Sequence, residues 1–97
     1  MINENVDLIE ELIEALLTIK DKDEMAKFLK DLCTPQEIKS LAERWNVCKL
    51  LHEGKMSYRE INSFTGVSLA TITRVARFLK DEPHHGYRSV LNKIEKK

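Results

Sequence analysis

Glycine, proline and cysteine are scarce in this chain of 97 residues. Three glycines and two prolines leave little material for the tight turns of an all-β sandwich. Two cysteines without a CxxC motif cannot build a disulfide scaffold, which favours a reducing compartment. No apolar run approaches the roughly 18–20 residues of a membrane span, and the first residues are acidic, unlike a signal peptide. We therefore expect a cytoplasmic protein that is neither exported nor inserted into a membrane.

Patterns of catalytic and metal-binding residues are also missing. The chain has no nucleophile–base arrangement, no glycine-rich phosphate loop and no paired catalytic carboxylates, so we predict no enzymatic activity and no cofactor. His84 and His85 are adjacent, and no third ligand is spaced to complete a metal site with them. Cys33 and Cys48 lie on apolar helix faces, where we expect inert core thiols.

The composition is that of one small helical domain, predicted to span residues 1–97, with 42% hydrophobic and 33% charged residues. Its net charge of zero conceals an asymmetry. Residues 1–32 carry 4 basic and 9 acidic side chains, a balance of −5, and residues 33–97 carry the compensating +5. This distribution suggests that residues 33–97 bind a polyanion. The alternative is an ordinary surface of mixed charges that faces solvent.

The first segment is predicted to be an amphipathic helix from about Glu4 to Ile19. Ile9, Leu12, Ile13 and Leu16 recur at helical spacing, with further aliphatic residues beside them. One N-terminal helix with this much apolar surface is more than a small monomer readily covers, so we expect it to pack against a partner chain. A core helix of a single chain is the alternative.

Two further helices follow. The segment Asp21-Lys22-Asp23 offers N-cap oxygens for a helix from about Glu24 to Cys33, and Thr34 and Glu37 predict a capping box for the next. That third helix is expected to reach about His52, with Gly54 ending it in a left-handed conformation. Its predicted inward residues are Ile38, Leu41, Ala42, Trp45, Cys48 and Leu51.

Residues 57–80 carry the most informative pattern. Ser57 and Glu60 predict a second capping box, which opens a short helix with Ile61 and Phe64 inward. Gly66 stands where a tight turn between helices needs positive φ, and Ser68 can cap a helix from Leu69 to Lys80. A short helix, a glycine turn and a capped helix are typical of a helix-turn-helix.

The second helix of this motif divides into two arcs at about 100° per residue. The predicted core arc contains Leu69, Ile72, Val75, Ala76 and Leu79, and the largely opposite arc contains Ala70, Thr73, Arg74, Arg77 and Lys80. Small side chains followed by basic ones suit a helix in the major groove of DNA. The alternative is a solvated helix of a bundle that does not bind DNA.

Several of these strings resemble the bacterial tryptophan repressor family, and in particular its tryptophan-repressor-like group. The resemblance covers about residues 24–95 and rests on Thr34-Pro35-Gln36-Glu37, Arg44, the string Glu53-Gly54-Lys55-Met56-Ser57-Tyr58-Arg59-Glu60-Ile61 and Ala70-Thr71-Ile72-Thr73-Arg74. It implies an all-α, six-helix, intertwined homodimer with a helix-turn-helix. It also implies that Tyr58, Arg59, Asn62, Leu69, Ala70 and Thr73 face DNA.

The resemblance also assigns a place to a small-molecule effector. The family's corepressor, tryptophan, lies between two arginines that match Arg44 and Arg74. Val75 stands where the repressor has a glycine that leaves room for the indole ring, and Phe78 stands where it has a serine that contacts the ligand. The possible effector pocket is therefore formed by Arg44, Thr71, Arg74, Val75 and Phe78, and we predict a different effector from tryptophan, or none.

Together these patterns predict a homodimeric, sequence-specific regulator of transcription that binds double-stranded DNA. The predicted DNA-binding residues are Tyr58, Arg59, Asn62, Ser68, Leu69, Ala70, Thr73, Arg74 and Arg77, with a further phosphate contact from Lys55. Two alternatives remain at this stage: a helix-turn-helix module that binds a protein partner, and a regulator with an unidentified effector in the Arg44/Arg74 pocket.

Overall fold

The computed structural model describes residues 4–96, with side chains from Asp7 onward, and in that range the chain is all-helical. The six helices are α1 (Glu4–Leu17), α2 (Lys22–Leu32), α3 (Pro35–Glu53), α4 (Tyr58–Thr65), α5 (Leu69–Lys80) and α6 (Gly86–Glu95). The predicted all-α class with six helices is confirmed. No helix of the described range is long and apolar enough to cross a membrane.

The described residues form two compact units, the first ending at Ile38 and the second beginning at Lys39. The first unit contains α1, α2 and the opening turn of α3. The second contains the rest of α3 together with α4, α5 and α6. The organisation of residues 1–97 as a single domain stays a prediction.

Side-chain caps begin the helices where the sequence predicts them. The Asp21 carboxylate accepts a hydrogen bond from the Glu24 amide at 2.9 Å. In the box that opens α3, the Glu37 amide donates to Thr34 Oγ1 at 3.1 Å, and the Thr34 amide donates to Glu37 Oε1 at 2.8 Å. Each cap satisfies amide groups that a helix start would otherwise leave unpaired, so these predictions are confirmed.

In the single chain, none of the described side chains of the first unit is buried. Its large exposed apolar residues are Leu8, Ile9, Leu12, Ile13, Leu17 and Leu32. The alternative in which α1 is a core helix of a single chain is therefore not supported.

The second unit holds the buried core. Its most fully buried side chains are Val47, Cys48, Ile61, Ile72 and Val75, and the smaller contributions come from Leu51, Val67, Ala76, Leu79 and Leu91. Cys48 lies in the core as predicted, and burial raises the pKa of its thiol to about 11, which favours the protonated form. Cys33 is only half-buried.

The inward face of α3 differs from the prediction. Cys48 and Leu51 are buried as expected, whereas Leu41 and Ala42 are exposed. Val47, which the sequence analysis did not select, is completely buried. Val47 and Leu51 lie one turn apart on the helix, and this turn of α3 is the part that meets the core of the second unit.

Two other predicted core residues, Phe64 and Leu69, are exposed, with exposed fractions of 70% and 44%. α4 has only eight residues, and it faces the core with Ile61 and the half-buried Thr65, which turns Phe64 outward. Val67 from the following turn is buried where a second α4 side chain was expected. Leu69 is the first residue of α5, and the residues of that helix that are buried in the core begin at Ile72.

Replacing glycine by alanine provides a test of the turn between α4 and α5. Gly66 has φ of 78°, and a Cβ there would meet no atom within 4 Å. Gly66→Ala should therefore lower the free energy of unfolding by about 1 kcal/mol, because alanine is unfavourable in the left-handed conformation. Gly86 begins α6 with equally open space but without positive φ, so Gly86→Ala should be neutral or stabilising by about 0.5 kcal/mol. Urea unfolding measures both, and equal destabilisation by the two variants would contradict this account.

Candidate nucleic-acid interface

The turn between α4 and α5 is fixed by a local network of hydrogen bonds. Gly66 adopts the left-handed conformation, and its amide donates to the Asn62 carbonyl at 2.9 Å. The Thr65 hydroxyl donates to the Ile61 carbonyl at 2.7 Å and accepts from the Val67 amide at 3.0 Å. The turn therefore holds α5 at a defined angle to α4.

α5 is anchored along one side. Ser68 caps its start, with the Thr71 amide donating to Ser68 Oγ at 3.1 Å. Its buried residues are Ile72, Val75, Ala76 and Leu79, and the helix packs against both α4 and α6. Four of the five residues predicted for this core arc are thus buried, with Leu69 as the exception.

The opposite side of α5 is open. Ala70, Thr73, Arg74, Arg77 and Lys80 are all exposed, as the angular division predicted. The small side chains lie in the first half of the helix and the basic ones in the second. A helix of this kind can approach the floor of a major groove closely at its start, while its cations reach the phosphates.

The positive charge of this region is only partly neutralised, since the salt bridge that its arginines form among the described residues is a long one, 3.6 Å from Arg77 Nε to Glu82 Oε2. Residues 57–80 contain four basic side chains and one acidic side chain, Glu60. The Glu60 carboxylate accepts a hydrogen bond from the Ser57 amide at 2.8 Å, while the Glu60 amide donates to Ser57 Oγ at 3.1 Å. The carboxylate is therefore engaged in the capping box at the start of α4, and a polyanion would meet a surplus of cations.

The start of α4 lies close to the end of α5. Tyr58 and Arg59 are exposed, and the Lys80 ammonium lies 5.8 Å from the centre of the Tyr58 ring. This contact brings Lys80 next to two predicted DNA-binding residues. The sequence analysis placed Lys80 on the outer arc without assigning it a contact.

Two of the predicted DNA-binding residues make structural hydrogen bonds. Asn62 is half-buried, and its side-chain amide donates to the Val67 carbonyl at 2.7 Å across the turn. Ser68 Oγ donates to Thr71 Oγ1 at 3.1 Å in addition to its capping bond. Both side chains therefore stabilise the motif itself, in addition to the DNA contact predicted for each.

A cluster around Phe78 was not anticipated. The guanidinium carbons of Arg74 and Arg77 lie 4.5 and 5.0 Å from the centre of the Phe78 ring. The His84 ring stacks on Phe78 with centres 5.8 Å apart and an angle of 13° between the planes. The spacing of Arg74 and Phe78, four residues apart on one helix, is a signal that could have predicted the first of these contacts.

Arg88 of α6 secures the C-terminal end of α5. Its Nε donates to the Leu79 carbonyl at 2.8 Å and its Nη2 to the Lys80 carbonyl at 3.2 Å. These carbonyls belong to the last turn of the helix, where a cation is favourable for both hydrogen bonding and the helix dipole. The contact joins separate helices, so local patterns in the sequence do not reveal it.

A cavity of about 490 Å³ opens beside the Phe78 cluster. It is lined by Trp45, Arg74, Phe78, His84, Gly86, Tyr87 and Val90. Of the five predicted effector-pocket residues, Arg74 and Phe78 line it, and the other three do not. Val75 is buried in the core, and Thr71 bonds to Ser68.

Arg44 is half-buried and acts on the same region from α3. Burial and the neighbouring Cys48 raise the pKa of the Tyr87 hydroxyl, while the positive charges of Arg44 and Arg74 act to lower it. The two arginines that the resemblance pairs are therefore both within electrostatic reach of Tyr87, a residue that sequence analysis did not select. In the described range no three metal-binding side chains cluster together.

Comparison with known proteins gives a consistent result. The model of the family described as Trp repressor protein matches residues 7–95. YerC of Bacillus subtilis (strain 168), itself described as uncharacterised, is 39% identical over 87 residues, which is 90% of this chain and 82% of YerC. The Trp operon repressor homolog of Vibrio campbellii is 34% identical over 73 residues, which is 75% of this chain and 73% of that protein.

A solved structure extends the agreement to three dimensions. The crystal structure of a TrpR-like protein from Eubacterium eligens superposes with a TM-score of 0.85 at 40% sequence identity, covering 92% of this chain and 90% of that one. The matched residues include every element of the helix-turn-helix described above. The chain therefore belongs to the Trp repressor family, a family of DNA-binding transcription regulators rather than enzymes.

Proposed function

We propose that the protein is a sequence-specific DNA-binding regulator that acts as a homodimer and does not respond to tryptophan. The observation that carries the proposal is the exposed face of α5, with small residues first and arginines next, beside a turn fixed by Gly66. Among the described residues, Arg74 and Lys80 of this face form no salt bridge, and Arg77 forms one of 3.6 Å to Glu82. Binding to the chromosome also agrees with the cytoplasmic location expected from the sequence.

The exposed residues of this region divide into those suited to contact bases and those suited to contact phosphates. Leu69, Ala70 and Thr73 are exposed near the start of the helix and are short enough to meet base edges and thymine methyl groups. Arg59, Arg74 and Arg77 are exposed cations that fit phosphates. Phosphate contacts release counterions from DNA, so affinity should fall steeply with added salt.

Selection of random duplex DNA on the purified protein, without any added small molecule, tests this division. Wild type should enrich a palindrome whose half-sites are about one helical turn apart. Thr73→Val should change the preferred bases, whereas Arg77→Ala should weaken binding to all sequences and lower the salt slope by about 1. Lys93→Ala removes an exposed cation outside the motif and serves as the matched control.

The same experiment distinguishes the alternative of a protein-interaction module. In that case the basic face would bind an acidic partner, and duplex DNA would be held only at low salt and without sequence preference. Identical base preferences for wild type and Thr73→Val would count against the assignment of base contacts to Thr73.

The homodimer is supported by the exposed apolar side chains of the first unit. Leu8, Ile9, Leu12, Ile13 and Leu17 of α1 are exposed within one chain. Patches of this kind on a small protein mark interfaces, and a second copy is the partner that a two-half-site DNA reader needs. Burial of these side chains between two chains would also supply the core that the first unit lacks.

Glutamine substitutions at neighbouring positions test the dimer. Ile13→Gln should lower stability by about 2 kcal/mol per subunit, because it removes an aliphatic side chain from the proposed interface. Glu14→Gln changes the adjacent exposed residue and should have little effect on association. Sedimentation equilibrium and the dependence of Tm on protein concentration report the association. A wild type that is monomeric, with a Tm independent of concentration, would refute the dimer.

The lack of a tryptophan response is supported by Val75 and Phe78. The resemblance places the indole ring beside these two positions, where the family has smaller side chains. The Val75 side chain is buried in the core, and the Phe78 ring packs against Arg74, Arg77 and His84. With the ring placed as the resemblance implies, both side chains would take up volume that the ligand needs, and neither offers a hydrogen-bonding group. The cavity beside Phe78 keeps a different effector as the second candidate.

Titration with L-tryptophan checks this point. Neither the Tm of wild type nor its Kd for the selected duplex should change. Phe78→Ser, which removes the ring and supplies a hydroxyl, is the matched variant in which a response would be easier to obtain. Stabilisation of wild type by about 2.7 kcal/mol at 100 times a measurable Kd would show that tryptophan is an effector after all.

A further inference from the structure

Phe78 stands apart from the other large residues of α5 because it is half-buried and contacts two cations. Arg74 lies one turn before it and Arg77 directly before it, with guanidinium carbons 4.5 and 5.0 Å from the ring centre. Both distances are within the range of a cation–π interaction. His84, from the segment between α5 and α6, stacks on the ring with centres 5.8 Å apart.

An aromatic ring orients a guanidinium group without neutralising it. A carboxylate partner would cancel the positive charge that a phosphate needs. A ring attracts the flat face of the guanidinium group and leaves its N–H donors, which lie in the plane, free at the edges. Those edges are the groups that bind phosphate oxygens in pairs.

Arg74 and Arg77 have the aromatic ring of Phe78 as their shared partner, and neither is tightly paired with a carboxylate. Within the described residues, Arg74 forms no salt bridge, and Arg77 has a single loose one, 3.6 Å to Glu82 with both side chains partly exposed. Phe78 is thus the contact that the two arginines share. Because their side chains are confined before DNA arrives, less conformational entropy is lost when they bind phosphate.

We infer that Phe78 is a positioning residue for DNA binding, which holds Arg74 and Arg77 over its ring with their charges intact and their donors directed outward. The inference rests on the proposed function and adds a regulatory consequence. The arginines are arranged by a side chain of the protein itself, so the DNA-binding surface is complete without a small-molecule effector.

Aliphatic and aromatic replacements of Phe78 test the inference. Phe78→Leu should weaken binding to the selected duplex about tenfold, because the two arginine side chains would then have to be ordered when DNA binds. Phe78→Tyr keeps the ring and should bind like wild type. In an Arg74→Ala/Arg77→Ala background, Phe78→Leu should cause little further loss, because Phe78 acts through these arginines. All measurements are made without any added effector.

Controls separate this role from a purely structural one. Phe64→Leu makes the same change at an exposed ring about 200° around α4 from Asn62 and should leave DNA binding unaltered. Urea unfolding of each variant establishes that it is folded under the binding conditions. NMR of the free protein provides a readout without DNA, since the Nε–Hε resonances of Arg74 and Arg77 should shift when the Phe78 ring is removed.

Each outcome decides one question. Unchanged affinity for Phe78→Leu, an equal loss in the arginine-free background, or no rescue by Phe78→Tyr would overturn the inference while leaving the proposed function intact. Unaltered arginine resonances in Phe78→Leu would overturn it as well. A wild type that selects no duplex would instead overturn the proposed function, even if the arginine resonances report the ring contact in the free protein.

Discussion

The burial of one side of α5 is the constraint on which the candidate site depends. Ile72, Val75, Ala76 and Leu79 fill the core of the second unit, and this fixes the rotation of the helix about its axis. A helix with one side fixed in this way must present its opposite side to solvent. The Gly66 turn sets its angle at one end, and the Arg88 hydrogen bonds hold the carbonyls at the other. The exposed face is therefore presented in a defined orientation, as the proposed recognition of a groove requires.

The same region keeps its positive charge available. Glu60 serves as a capping residue, its carboxylate accepts from the Ser57 amide, and among the described residues it forms no salt bridge with the cations of α5. Phe78 and Tyr58 offer aromatic rings to Arg74, Arg77 and Lys80, and a ring orients a cation without removing its charge. These contacts stabilise the free protein and still leave the cations able to bind phosphate. Carboxylate partners in the same places would have given a comparable fold with a weaker attraction for DNA.

Local signals predicted most of the fold, and contacts between helices explain what they missed. The capping boxes, the Gly66 turn and the bounds of α5 depend on residues within one turn of each other, so the sequence carries them directly. The exposure of Phe64 and the burial of Val47 depend on which turn of α4 or α3 meets its neighbours, and helical periodicity leaves that choice open. The Arg88 contact with α5 joins different elements, and no local pattern encodes it.

Residues 1–32 and residues 33–97 differ in charge and in burial, and one physical explanation covers both differences. Residues 1–32 carry a net charge of −5, which DNA would repel, together with the exposed apolar side chains of α1. Residues 33–97 carry +5 and contain the helix-turn-helix. An acidic segment gains nothing from lying against phosphates, whereas its apolar side chains gain free energy only by being covered. In the proposed dimer a second copy would cover them and bring a second α5, so association and DNA recognition would use different parts of the same chain. If α1 forms the dimer interface, changes there would alter how two half-sites are spaced without altering the bases that each α5 would read.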